Sequence, residues 1–94
     1  MTYPSNLSQL KKYLANNIGT SWTTENTKKN WFPGVRRLAL INSVDFGFEN
    51  DDGRISSCPW PKASWLEFNT TGGSFSFSIH NPDFGHTLTY TLQN

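Results

Sequence analysis

Between Ser64 and Leu92 the chain alternates apolar and polar residues in three successive segments, and nothing else in it restricts the fold as strongly. The segments are Ser64-Trp65-Leu66-Glu67-Phe68, Ser74-Phe75-Ser76-Phe77-Ser78-Ile79 and Thr87-Leu88-Thr89-Tyr90-Thr91-Leu92. Successive side chains leave a strand on opposite sides, so a period of two marks strands with one buried face. Gly72-Gly73 and Asn81-Pro82-Asp83-Phe84-Gly85 separate the segments with turn residues. Leu66, Phe68, Phe75, Phe77, Ile79, Leu88, Tyr90 and Leu92 are expected to share one face. Ser74, Ser76, Ser78, Thr87, Thr89 and Thr91 share the other, facing water. The rest of the chain must then cover the apolar face.

The first third supplies a helix for that purpose. Leu7, Leu10, Leu14 and Ile18 recur at three- and four-residue spacing, which makes one apolar stripe over about residues 5–18. Ser5 or Asn6 can cap its start, and Gly19 stands where a helix-ending glycine belongs. Thr20 to Glu25 reads as a short strand around Trp22. From Val35 to Glu49, Leu38, Leu40, Val44, Phe46 and Phe48 are expected on one face. Asn42-Ser43 breaks that run, which predicts a bend and two strands instead of one. Asp51-Asp52-Gly53 is a hairpin signal returning the chain through Ile55 to Cys58. Pro59 and Pro61 lack amide donors and cannot sit in a central strand. The expectation is one α+β domain over residues 1–94. Its N-terminal helix packs on a strongly bent antiparallel meander of five to seven short strands over about 20–92, either a bent sheet with the helix across one end or a small open barrel of the SH3-like kind.

Composition narrows the function classes. No apolar run is long enough to cross a bilayer, and no basic stretch followed by an apolar one opens the chain. Cys58 is the only cysteine, so no internal disulfide forms, and a cytoplasmic setting is expected. His80, Asp83 and His86 fall within seven residues but offer too few ligands for a zinc site. Cys58 beside a histidine would make a thiol–imidazole pair, yet nothing in the sequence brings them together. Asp51-Asp52 lacks the alternating oxygen ligands of a calcium loop. No phosphate-binding loop, dinucleotide fingerprint or serine elbow is present. The reading is of a protein that is not an enzyme and needs no cofactor or metal.

Charge is segregated. Residues 1–37 hold six of the eight lysines and arginines but one of the seven acids. Trp22, Lys28, Lys29, Trp31, Phe32, Arg36 and Arg37 interleave rings and cations within sixteen residues, and Lys12 lies on the polar side of the helix. Such a run suits an acidic protein or ribonucleoprotein surface, where tryptophan and arginine act as anchors. It also suits single-stranded nucleic acid, which stacks on rings in a positive groove. Trp60 and Trp65 would suit sugar rings, although most such modules are exported. Self-association through the hydroxyl-rich face is a further expectation to test.

Three stretches carry a family resemblance: Leu10 to Gly19, Glu49-Asn50-Asp51-Asp52-Gly53-Arg54, and Trp60-Pro61-Lys62-Ala63-Ser64 through Leu66-Glu67-Phe68. In these the chain resembles a loose group of small proteins encoded by phages and mobile elements of Gram-positive bacteria. The chain departs from them in its Thr-rich last strand and in Trp31-Phe32-Pro33-Gly34. The resemblance implies a mobile-element origin and stoichiometric binding, with anti-defence proteins, including anti-CRISPR inhibitors of host nucleases, as the sharpest class. It brings no catalytic residues with it. The acid count is too low for a DNA mimic.

Overall fold

In the computed structural model, which describes residues 3–26, 34–71, 73–83 and 85–93, the helix begins where a side chain can cap it. The Asn6 side chain accepts from the Gln9 amide at 2.9 Å and satisfies one free donor of the first turn. Helix α1 then runs Leu7–Ala15. Leu10 and Leu14 are fully buried on its inner stripe. The helix stops a turn short of the expected end, at the C-cap Asn16. Ile18 therefore leaves the stripe and is half exposed, a correction to the sequence reading. Gly19 follows with φ 95°, a conformation that favours glycine, and turns the chain into the sheet.

Seven strands follow, all antiparallel to their neighbours: β1 Ser21–Asn26, β2 Gly34–Ile41, β3 Asp45–Glu49, β4 Ile55–Pro59, β5 Leu66–Thr71, β6 Ser74–Asn81 and β7 His86–Leu92. The bend between β2 and β3 lies where Asn42 stands. Its side chain accepts from the amides of Val44 and Asp45, both at 2.8 Å, which closes the turn locally. Gly53, at φ 83°, and Asn50 close the β3–β4 hairpin.

The strand order is β4-β3-β2-β1-β7-β6-β5. Two meanders, β1 to β4 and β5 to β7, are joined through the pairing of β1 with β7. The chain passes from one sheet edge to the other through Trp60 to Trp65, with a single 3-10 turn at Ala63–Trp65. Pro59 ends an edge strand, where a missing donor costs no ladder bond within the sheet. Trp60 anchors this crossing: its ring lies 4.8 Å from Phe46, and its indole N–H donates to the Asn42 carbonyl at 2.8 Å.

The sheet is strongly bent but not closed. In the strand order β3 and β7 are separated by β2 and β1, so a flat sheet would hold them roughly 14 Å apart. Instead Phe48 on β3 stacks on Tyr90 of β7 with ring centroids 5.2 Å apart. Phe77 stacks on Tyr90 at 5.0 Å, and Phe46 meets Tyr90 edge-on at 5.7 Å. The apolar face is thus concave and wraps its own aromatic core, giving a nearly isotropic body of 32 × 30 × 29 Å.

The face assignment of the last three strands is as the alternation predicts. Phe75, Phe77, Ile79 and Tyr90 are buried, and Phe77 opposes Tyr90 while Ser78 opposes Thr89. The earlier strands depart from the reading at two places. A bulge between Leu38 and Leu40 shifts the register, so Ile41 and not Leu40 packs against the core. Val44, expected inside, falls in the bend and is 70% exposed.

Candidate functional site

The two ends of the curled sheet differ. At one end Phe75, Trp22 and Leu38 are covered by α1. Tyr3 stacks on Phe75 at 4.9 Å and Tyr13 meets it edge-on at 5.6 Å. At the other end β1 finishes, β2 begins, and the concave face opens into a cleft of about 390 Å³.

Each strand delivers its part of the cleft by the two-residue period. Thr24 and Asn26 come from β1, two and four residues beyond Trp22. On β2, Arg36 pairs with Trp22 and so shares its face. From β3 and β4 come Phe48, Ser56 and Cys58, with Phe48 opposite Ser56. Leu88 and Tyr90 of β7 form the facing wall, and His86 stands at its end. Glu25, whose neighbours in the sheet lie on the outer face, reaches only the rim. The lining is mostly apolar, with one guanidinium set into it. Arg36 is half-buried, and its Nε is withdrawn from solvent. Arg36 and His86 also take part in other polar or ring contacts.

Cys58 and His86 line the same cleft, a juxtaposition the sequence did not disclose. The thiol is not activated. Burial, and secondarily the Asp45 carboxylate, push its pKa up, which holds it as the weakly nucleophilic neutral form. Tyr90 is likewise held protonated, first by burial and then by Cys58. His80 is elsewhere: the pleat puts it on the convex face, where Nε2 lies 3.0 Å from Glu67 and Nδ1 lies 3.0 Å from Thr87. The alternation along β6 and β7 thus puts the two histidines on opposite faces of the sheet. Among the described residues no cluster of three His, Cys, Asp or Glu side chains is placed to hold a metal ion.

The expected binding run separates into unlike fates. Lys28, Lys29, Trp31 and Phe32 lie outside the described residues. Trp22 is a correction: it is completely buried, in edge contact with Phe48, Phe75 and Phe77, and cannot serve as a stacking platform. Its only polar atom donates to Thr20 at 2.9 Å. Arg37 points to the convex side and forms an exposed ion pair with Glu49. Arg36 enters the cleft. Lys12 is exposed on the helix, while Lys11 sits 5.4 Å above the Trp60 ring. Among the described residues, then, Arg36 and Arg37 diverge to opposite faces of the sheet, and Lys11 and Lys12 part between a tryptophan ring and solvent.

Of the cleft residues, the sequence marked Arg36 for binding and raised Cys58 and His86 only as weak catalytic or metal-ligand candidates; the others were not singled out for function. A signal was present. Leu38 faces inward, and the same alternation continued two residues back puts Arg36 inside.

No protein-family model matches this chain, and no curated protein or solved structure matches it either.

Proposed function

We propose that the protein acts by stoichiometric binding, as an inhibitor of a host defence nuclease encoded by a phage or mobile element and working in the bacterial cytoplasm. Its partner would be a host protein or ribonucleoprotein, with a CRISPR effector as the sharpest case. The observation that supports this reading is the cleft at one end of the cup. There an apolar recess is combined with an arginine, the pairing that favours protein anchors. The size of the chain and its resemblance to small mobile-element proteins support the same reading.

The test is inhibition at equal amounts of protein and enzyme. Purified protein is added to RNA-guided and restriction nucleases from a Gram-positive host, and DNA cleavage is followed. The expected result is loss of cleavage by one of them near a one-to-one ratio, with a stable complex on size exclusion. Arg36→Glu should weaken inhibition by about tenfold or more, as loss of an interface anchor does. No inhibition, together with recovery of no nuclease on the immobilised protein from host lysate, overturns the reading. Binding of labelled oligonucleotides by the protein alone, lost at high salt, would put single-stranded nucleic acid in the partner's place.

A further inference from the structure

We propose that the cleft is a small-molecule site whose ligand is a compact amphipathic monoanion: a carboxylate carried on an apolar chain or ring. The inference goes beyond the inhibitor reading and does not depend on it, because it concerns the isolated protein.

Size comes first. At about 390 Å³ the cleft falls within the roughly 300–1,000 Å³ of small-molecule sites, and it is preformed by five strands of one sheet. Its depth decides the body of the ligand. Phe48, Leu88 and Tyr90 form the inner surface, and they belong to the same aromatic cluster that holds the fold together. Water there gains few hydrogen bonds, so an apolar group that displaces it is favoured.

Arg36 decides the head. A wholly apolar occupant would strip water from a guanidinium without replacing its hydrogen bonds, which is costly. A cation would add repulsion to that cost. A carboxylate offers the opposite charge and a planar pair of acceptors that fits the guanidinium fork. The five N–H donors of an arginine leave capacity for such a ligand beside the contacts Arg36 already makes. Thr24 and Ser56 also line the cleft, where the Ser56 hydroxyl accepts from the Asn50 side chain at 2.7 Å and keeps its own proton to donate. A doubly charged head fits less well, since Arg36 is the one guanidinium in the lining and the Glu25 carboxylate stands on the rim.

Octanoate and its uncharged counterpart 1-octanol separate the contributions of body and head. Both are titrated into the intact protein by calorimetry, and Cys58, the only thiol, reports whether the cleft itself is filled. The expected result is octanoate binding about tenfold tighter than 1-octanol, the worth of one charge-assisted contact. Bound octanoate should also slow alkylation of Cys58. Arg36→Met keeps the apolar stem and removes the charge, so it should bring the two affinities together. The proposal is overturned if octanoate does not bind at millimolar concentration, or if acid and alcohol bind alike to the wild-type protein. It is equally overturned if octanoate binds while Cys58 reacts at an unchanged rate. Should Arg36→Met fail to fold, the comparison of the two ligands on the wild-type protein still decides the matter.

Discussion

Phe77 and Thr89 show what the sheet asks of single residues. Phe77 is 1% exposed and touches Trp22, Phe46, Phe75 and Tyr90, four rings from four other places in the chain or strand. Thr89 faces the other way, and its hydroxyl pairs with that of Ser78 at 2.9 Å. Phe77→Ala should therefore cost about 3–5 kcal/mol in urea unfolding, from lost burial and a cavity among rings that cannot collapse into it. Thr89→Ala should cost about 0.5–1 kcal/mol, the net worth of one partly exposed hydrogen bond. The inward direction of Phe77 was legible, because strict alternation leaves a strand no other choice. The Ser78–Thr89 pair was not, because cross-strand neighbours depend on a register that alternation does not set. The fate of Trp22 was ambiguous for a similar reason. A ring followed by threonines satisfies a lid and a core position equally, and only pairing with Arg36 and Leu92 resolves it.

Among the elements, α1 ends early, and the other departures from expectation fall in β2 and the bend before β3. Asn42 announced the bend through its side-chain chemistry, which is local. The bulge at Ala39 is not local: it reflects how β3 must curl to bring Phe46 and Phe48 over Tyr90. That curl moves Leu40 out and Ile41 in, and no count of apolar residues reveals it. Opposite the bulge, Gly47 lets β3 and β4 close tightly. A Cβ there would lie 2.7 Å from the Ile55 side chain and 3.1 Å from the Ser56 carbonyl. Gly47→Ala should destabilise the protein by about 1–3 kcal/mol, as overpacking does. Adding Ile55→Ala should recover part of the loss, since Ile55 is half exposed and contributes little burial of its own. Equal stability of Gly47→Ala and the wild type in the same urea titration would show that the hairpin is looser than its geometry. The candidate site follows the same division: Arg36 could be read inward from Leu38, but its meeting with Cys58 and His86 needed the β4 edge to curl towards the interior strand β7.

For the molecule as a whole, the buried ionisable groups fix how stability responds to base. Cys58 and Tyr90 both have pKa values raised in the folded state, chiefly by burial. Below the ordinary thiol value both groups are protonated in the folded and unfolded chains, so their contribution is fully present. As pH rises above about 9, the unfolded chain loses these protons more readily than the folded one, and stability falls. Urea midpoints measured between pH 7 and 10.5 should decline at the alkaline end, and Cys58→Ala should soften the first part of that decline. A flat profile would place both groups in contact with water.

The strand order has a temporal side as well. β7 is the last strand along the chain yet lies in the interior of the sheet, paired with β1 on one flank and β6 on the other. Until it docks, the first four strands have no neighbour on the β1 side, and their phenylalanines lack Tyr90. Loops of some seventy residues must close before that pairing forms, as in Trp22 with Leu92, so the search is slow for a chain of this size. A ribosome making this protein would thus hold a sticky, unfinished half-cup until its seventh strand emerged, a period in which a chaperone has most to protect.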